Sequence, residues 1–310
     1  MTRPFRFGVS GGALADPHDF VALARQAESL GYASVSMSDH LDDAIAPLIA
    51  LTAAASATDT IGLSTLVLAN DLRNPVVLAK EIATLDRLSG GRVTWGIGAG
   101  WQPSDYERTG IAMDRAGVRI ARLEEAVAVM RQCFADGAFS HAGDHYRVTD
   151  VDGSPQPIQR PHPPLMLAGG GPRMLALAGK EADIVGLNFS LAAGALGTAA
   201  GATGTPDRTD EKIAAIRSGA GHRFDEIELQ TRVHMVIESD DRANTLDAMA
   251  PAFDLSPKDA GSMPHVLVGT VDEMCESIRT WRDRWGISYV TWSADVVDAM
   301  APVVERLTGE

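Results

Sequence analysis

The chain has 310 residues, 45% of them hydrophobic and 22% charged, which is enough for one or two globular domains with a large apolar core. Its formal net charge of −14 argues against a nucleic acid or an anionic membrane as the main partner, although a small anionic ligand needs only a local cluster of donors. Cys133 and Cys275 are far apart in sequence and match no CxxC or zinc spacing, so we expect reduced thiols in the cytoplasm. No apolar run is long enough to span a membrane.

The first third of the chain alternates predicted strands with predicted helices. Apolar residues at period two mark the strands, and apolar stripes at helical spacing mark the helices between them. Asp16 and Asn74, each followed by proline, predict helix starts, and Gly31 predicts a helix end. In this region we predict strands over residues 5–10, 32–38, 61–68 and 93–98, and helices over residues 16–30, 45–58 and 74–88.

The rest of the chain continues this alternation with more insertions. We predict strands over residues 165–168, 183–188, 227–237 and 289–292, helices over residues 118–134, 172–180, 210–220, 271–285 and 295–307, and a hairpin near 141–148. Residues 190–204, rich in alanine, glycine and threonine, fit either a mobile lid or a disordered surface insertion. We expect a single domain over residues 1–310, with insertions near residues 138–163 and 188–225.

About eight strands, each followed by a helix, predict a (β/α)8 TIM barrel, in which the chemistry lies at the C-terminal ends of the strands. A doubly wound sheet is the alternative, but the glycines at 96, 98 and 100 do not form the dinucleotide-binding fingerprint. Small or polar residues stand at several predicted strand ends, namely Ser10, Asp39, His40, Thr65, Gly100, Gly170 and Asn188.

The strand over residues 32–38 leads directly into Asp39 and His40. A histidine is a common proton donor or acceptor near neutral pH, and Asp39 can fix its orientation or accept from a ligand N–H group. The competing interpretation is a helix-capping aspartate beside a surface histidine. Their position at the end of a predicted barrel strand favours the catalytic interpretation.

Two glycine-rich turns follow other predicted strands. In the first, small residues up to Gly100 let a flat ligand approach the backbone, and Trp101 offers a stacking face. A tight turn with a packed tryptophan explains that pattern equally well. In the second, three glycines at 169–171 and Arg173 supply N–H groups and a cation that suit a phosphate, and a bare glycine turn is the alternative. No histidine pattern predicts a metal site.

Several motifs occur together and in order along the chain. They include Ser38-Asp39-His40, Thr65-Leu66-Val67-Leu68-Ala69-Asn70, Leu88-Ser89-Gly90-Gly91-Arg92, Gly96-Ile97-Gly98-Ala99-Gly100-Trp101, Gly169-Gly170-Gly171 and Leu267-Val268-Gly269-Thr270. As a set they resemble the luciferase-like monooxygenase superfamily, and more narrowly its actinobacterial oxidoreductases that use the deazaflavin coenzyme F420. The resemblance covers nearly the whole chain and is weakest across residues 190–225. The motifs identify the superfamily more specifically than they distinguish coenzyme F420 from FMN.

This resemblance implies a role for each matching position. His40 and Asp39 are the implied catalytic residues, and the Thr65-Leu66 step matches the place of a non-proline cis peptide behind the coenzyme ring. Trp101 stands where the sugar-phosphate dehydrogenase of this family has an acidic catalytic residue, which argues against sugar-phosphate oxidation. The implied coenzyme-binding residues are Asp39, Thr65, Leu66, Gly100, Trp101, Ala168, Gly169, Gly170, Gly171 and Arg173.

The leading hypothesis is therefore a coenzyme F420-dependent oxidoreductase. It would transfer a hydride between the deazaflavin and a small organic substrate, with His40 exchanging the proton. An FMN-dependent two-component flavin monooxygenase is the alternative, and a non-catalytic deazaflavin-binding protein is the third possibility. The resemblance also implies a homodimer.

Overall fold

A computed structural model describes residues 3–41, 45–191 and 197–310. Its strands are β1 (Arg6–Ser10), β2 (Ser34–Met37), β3 (Gly62–Thr65), β4 (Leu68–Ala69), β5 (Val93–Gly98), β6 (Phe139–Ala142), β7 (Arg147–Val151), β8 (Leu165–Gly169), β9 (Ile184–Leu187), β10 (Glu228–Arg232), β11 (Met235–Glu238), β12 (Val266–Gly269) and β13 (Ile287–Ser293).

The helices follow the strands along the chain. They are α1 (Pro17–Ser29), α2 (Pro47–Ala57), α3 (Pro75–Ser89), α4 (Pro103–Thr109), α5 (Ala116–Phe134), α6 (Pro172–Glu181), α7 (Thr198–Gly201), α8 (Pro206–Ala220), α9 (Arg242–Met249), α10 (Pro257–Ser262), α11 (Val271–Trp285) and α12 (Ala301–Leu307). Short 3-10 helices lie at Asn70–Leu72, Ala202–Gly204, Gly221–Glu226, Ala250–Phe253 and Ala294–Val296. Within the described ranges, no helix is long and apolar enough to cross a membrane.

The main sheet closes on itself. Its hydrogen-bonded order is β3-β2-β1-β13-β10-β9-β8-β5-β4, and β3 also pairs with β5, so the ladder returns to its first strand. The two-residue strand β4 continues from β3 and pairs with the end of β5. The pairs β1–β13, β10–β13, β9–β10 and β3–β5 are parallel. This arrangement confirms the predicted (β/α)8 TIM barrel. β6–β7 and β11–β12 form two separate two-stranded sheets.

Capping residues explain why several helices begin and end where they do. The Asn74 side chain accepts from the backbone N–H groups of Val76 and Val77, and α3 ends at Gly90 with φ of 72°. Thr270 and Glu273 form a capping box at the start of α11, which ends at Gly286 with φ of 79°. These capping residues are visible in the sequence, so both helices agree with their predictions to within a residue or two.

The chain divides into two compact units, each with its own buried aromatic residues. The first unit comprises Met1–Ser10, Gln26–Ser34 and Leu167–Glu310, and the second comprises Gly11–Arg25 and Val35–Met166. In the first unit, the rings of Phe7 and Trp292 stack with their centroids 5.4 Å apart. In the second, the fully buried Trp95 donates from Nε1 to the Pro163 carbonyl at 2.7 Å. Each indole or phenyl ring thereby contributes a large apolar area to the core of its unit.

Two predicted segments differ from the structure, and a third lies partly outside the described residues. Residues 61–68 form two strands rather than one, β3 and β4, and the Leu66–Val67 peptide bond between them is cis. Residues 227–237 likewise form β10 and β11, because β10 stays in the barrel while β11 pairs with β12. In the segment 190–204, residues 192–196 lie outside the described part, and residues 198–204 form α7 and a 3-10 turn.

Candidate functional site

The His40 side chain lies three residues beyond β2 and is held by a buried carboxylate. Its Nδ1 atom is 2.9 Å from Oδ2 of Asp105, a residue of α4 that is 4% exposed. The other Asp105 oxygen accepts from the Leu41 backbone N–H at 3.0 Å. Because a carboxylate only accepts hydrogen bonds, Nδ1 carries the proton, and Nε2 is the nitrogen left to exchange a proton with a ligand.

Asp39 has a different partner from the one expected. Its Oδ1 accepts from Arg73 Nη2 at 2.8 Å, and its Oδ2 accepts from the Ala69 backbone N–H at 2.8 Å and also pairs with Arg73 Nη1. Both carboxylate oxygens are thus engaged away from the imidazole. The interpretation of Asp39 as the residue that orients His40 is wrong, since Asp105 does this instead.

Trp101 and Gly100 lie beside this histidine. The Trp101 ring meets the His40 ring edge to face, with centroids 5.4 Å apart and an interplanar angle of 83°. Gly100 has φ of 72°, and a side chain there would collide with the Tyr106 hydroxyl, which donates to Asp71 at 3.1 Å. Gly100 is therefore required both by its backbone conformation and by the close approach of Tyr106.

Thr65 is the last residue of β3, and Leu66 is the first residue of the gap between β3 and β4. The Thr65 hydroxyl donates to the Gly96 carbonyl and accepts from the Gly96 N–H, both at 2.7 Å, so this side chain ties β3 to β5. Leu66 donates its backbone N–H to Met37 at 2.8 Å. The non-proline cis peptide joins Leu66 to Val67, one bond beyond the predicted step.

The second set of predicted residues, Ala168 to Gly171 with Arg173, lies at the end of β8 and the start of α6. Gly169 accepts from the Asn188 N–H at 3.1 Å, and Gly170 packs so closely on the Phe189 carbonyl that a side chain would not fit. A Cβ at Gly171, the N-terminal cap of α6, would meet only open space. This open helix start, with its N–H donors and the exposed Arg173, fits a phosphate-bearing group.

Three polar residues of the first unit gather around the end of β9. His234 Nε2 lies 2.8 Å from the Asn188 side-chain oxygen, and Lys212 Nζ donates to the Asn188 carbonyl at 2.7 Å. Burial and the nearby Arg232 charge lower the pKa of His234 to about 4. Burial alone lowers the pKa of Lys212 to about 8. The His234 side chain is therefore neutral at neutral pH.

Sequence reasoning missed two of the side chains that matter most to these sites. Asp105 is 65 residues from His40 along the chain. The one sequence signal that could have indicated a role for it is its position just after the Gly100-Trp101 turn. Arg232 lies inside the predicted strand 227–237, where nothing in the pattern shows that β10 ends at this residue. Both residues stand near the C-terminal ends of barrel strands, where the fold concentrates chemistry.

A cleft of about 450 Å³ opens in the second unit next to the Asp39–Arg73 pair. It is lined by Asp71, Arg73, Asn74, Ile111, Ala112, Asp114, Arg122 and Tyr146. Arg122 pairs with Asp71 at 2.9 Å and also with Asp114, so most of the charge on its walls is balanced. Arg73 is shared by this cleft and by the ion pair to Asp39.

Comparison with known proteins decides the family. The profile of the luciferase-like monooxygenase family matches residues 1–256. The chain belongs to this family. Membership of the luciferase-like monooxygenase family agrees with the resemblance found in the motifs, and with the barrel described above.

Named relatives of this luciferase-like chain include enzymes that use coenzyme F420. It is 33% identical over 178 residues to an F420-dependent glucose-6-phosphate dehydrogenase of Amycolatopsis mediterranei, which covers 54% of this chain and 52% of the relative. It is 29% identical over 303 residues to the enzyme of that name from Nakamurella multipartita, covering 92% and 84%. The chain spans about half the length of the first of these curated relatives.

A solved structure supports the fold over nearly the whole chain. The coenzyme F420-dependent tetrahydromethanopterin reductase of Methanopyrus kandleri superposes with a TM-score of 0.78 at 19% identity, over 99% of this chain and 100% of that one. At this level of identity the likeness concerns the fold alone.

Proposed function

We propose that this protein is an oxidoreductase that uses coenzyme F420 to move a hydride to or from a small organic substrate. The observation that carries the proposal is the His40–Asp105 pair, in which a buried carboxylate fixes an imidazole at the end of a barrel strand. Membership of the luciferase-like family and the F420-dependent relatives support the choice of coenzyme. When bound, the deazaflavin supplies the carbon that gives or accepts the hydride.

In this proposal His40 moves the proton that accompanies the hydride. Its Nε2 atom donates to the oxygen or nitrogen anion that develops on a reduced substrate, or accepts the proton of an alcohol in the reverse direction. Asp105 holds the ring by Nδ1 and stabilises the imidazolium that forms after proton uptake. The Trp101 ring, packed against His40, excludes water from one side of the imidazole.

We assign the coenzyme contacts to the predicted residues, one unit at a time. In the second unit these are Asp39, Thr65, Leu66, Gly100 and Trp101, which lie around the strand ends that carry His40. In the first unit the open start of α6 and Arg173 are assigned to the phosphate of the coenzyme tail, with Ala168, Gly169 and Gly170 leading into it.

The nature of the residue at position 101 bears on the substrate. The curated relatives carry glucose 6-phosphate in their names. The family resemblance implies that Trp101 stands where the sugar-phosphate dehydrogenase has an acidic catalytic residue. An indole ring offers no carboxylate to take a proton from a sugar hydroxyl. We therefore propose a substrate other than a sugar phosphate, with His40 as the proton-exchanging group.

Two further features belong to the proposal. We propose a homodimer because the family resemblance implies one. The exposed apolar side chains Ile49 on α2 and Val77 on α3, which are 74% and 57% exposed, are candidates for its interface. We propose a cytoplasmic location, because Cys133 and Cys275 are both buried free thiols. Light scattering of the purified protein tests the first, and cell fractionation tests the second.

The reaction is tested by following the absorbance of coenzyme F420 with a panel of alcohols, enones and imines. We expect turnover with at least one class of substrate, and a loss of about a hundredfold or more in His40→Gln. His18→Gln, which changes an exposed histidine of α1, serves as the matched control. Turnover of reduced FMN with oxygen, but none with the deazaflavin, would support the flavin monooxygenase and reject the proposal.

A further inference from the structure

Arg232 lies at a junction of three neighbouring strands of the first unit. It is the last residue of β10, which pairs with β13, and β13 in turn pairs with β1. Ser10 and Ser293, the last residues of β1 and β13, are register partners. The Arg232 guanidinium donates from Nη1 to Ser10 Oγ at 3.0 Å and from Nη2 to Ser293 Oγ at 3.3 Å.

This guanidinium is a cation without a carboxylate partner among the described residues. Its side chain donates to two neutral hydroxyl groups, those of Ser10 and Ser293. Asp295 acts on it only through space, and burial outweighs that attraction, so the pKa of Arg232 is lowered from its ordinary value. Arg232 is only partly exposed, and charges removed from water are normally paired, because desolvation otherwise disfavours the ionised form. A site of this kind is suited to receive an anion.

The donors at this junction match an oxyanion. A guanidinium has five N–H donors, and the two serine hydroxyls occupy two of them. Each serine that accepts from Arg232 keeps its own proton and can donate it to a ligand. Together the three side chains offer N–H and O–H donors with a charge of about +1 at the C-terminal end of three barrel strands.

We propose that Arg232, Ser10 and Ser293 bind a carboxylate or phosphate group of the substrate. The inference rests on the proposed function, since it takes the bound anion to be part of the molecule that is oxidised or reduced. The proposed function assigns the coenzyme phosphate to the start of α6 and Arg173, so we assign Arg232 to the substrate. The substrate is accordingly an anionic organic compound.

The test measures anion binding directly, without turnover. Benzoate and inorganic phosphate are titrated separately into the full-length protein at constant ionic strength, with calorimetry and the shift in Tm as readouts. The wild type is expected to bind at least one of them saturably, and the preferred anion tells carboxylate from phosphate. Arg232→Met is expected to weaken that binding by about tenfold or more. Arg208→Met, an exposed arginine of α8 paired with Glu211, is expected to bind like the wild type.

One further variant and one further ligand complete the test. Ser293→Ala is expected to weaken anion binding severalfold, and it keeps the proposal testable should Arg232→Met fold poorly. Coenzyme F420 is expected to bind Arg232→Met within about twofold of the wild type. Equal anion binding in wild type and Arg232→Met, or coenzyme binding weakened as strongly as anion binding, would overturn the inference. Failure of the wild type to bind the coenzyme would instead reject the proposed function, whatever the anion result.

Discussion

The Nδ1 atom of His40 lies 2.9 Å from Oδ2 of Asp105, although 65 residues separate the two along the chain. Asp105 is delivered by α4, which begins at Pro103 directly after the turn that contains Gly100 and Trp101. The same turn therefore supplies a ring that packs on His40 and a carboxylate that orients it. Through these two contacts, the segment after β5 positions the side chain of His40, which follows β2.

The role of Asp105 is tested by Asp105→Asn. The amide lacks the negative charge and no longer fixes the proton on Nδ1, so we expect the rate of substrate turnover to fall by roughly tenfold to hundredfold. Binding of the coenzyme should be preserved, and the pH–rate profile should shift. Glu107→Gln, an exposed neighbour on α4, is the control and should behave as the wild type. An unchanged profile in Asp105→Asn would mean that the pair has no part in proton transfer.

The ion pair between Asp39 and Arg73 predicts a coupling in stability. Arg73→Met leaves the Asp39 carboxylate, whose side chain is 4% exposed, without its cation. We expect the free energy of unfolding to fall by about 3 kcal/mol, as for other buried pairs that lose one partner. In an Asp39→Asn background the same substitution should cost much less. Urea denaturation of the wild type, the two single variants and the double variant gives the coupling energy between the two side chains. If Arg73→Met lowers the free energy of unfolding equally in both backgrounds, the ion pair contributes nothing to stability.

Gly100 and Gly110 allow backbone conformation to be separated from packing. Their φ angles are 72° and 71°, but only Gly100 has Tyr106 where a Cβ would lie. Gly110→Ala should cost about 1 kcal/mol of stability, the ordinary penalty for this conformation. Gly100→Ala should cost more and should reduce turnover, because a displaced Tyr106 carries its neighbour Asp105 away from His40. Similar losses for the two variants in stability and activity would contradict this account.

The buried histidine His234 predicts a pH dependence of stability. Its pKa in the folded protein is about 4, compared with an ordinary value of 6.5. Between these values the unfolded chain binds more protons, so stability falls as the pH drops, by up to about 1.4 kcal/mol per pH unit. His234→Gln should remove this contribution, whereas His222→Gln, at an exposed position, should not. Unfolding free energies measured between about pH 7 and pH 4 decide the matter, and parallel slopes in His234→Gln and the wild type would contradict the prediction.

The fold could be predicted from the sequence because its signals are local. β5 agrees with the predicted strand at both ends, and α11 does so because Thr270, Glu273 and Gly286 cap it. Residues 227–237 were predicted as one strand because alternation of side chains continues through Val233 and His234. Alternation cannot show that β10 and β11 pair with different sheets, since the choice of partner strand depends on distant residues.

The candidate site could be predicted only in part, for the same reason. His40 and the glycines at 100 and 169–171 stand at strand ends that periodicity reveals. The partner of His40 could not be found in this way, because several aspartates follow the strands and only the folded chain selects Asp105. Asp39, next to His40 in sequence, was the natural expectation, yet its two oxygens bind Arg73 and Ala69.

The central claim, that the chain acts through coenzyme F420, is tested most directly by fluorescence titration of purified protein with that coenzyme. We predict saturable binding to the wild type, with FMN binding more weakly under the same conditions. Arg173→Met should bind the deazaflavin more weakly, because it loses the cation assigned to the coenzyme phosphate. No saturable change with coenzyme F420, together with tight binding of FMN, would contradict the account.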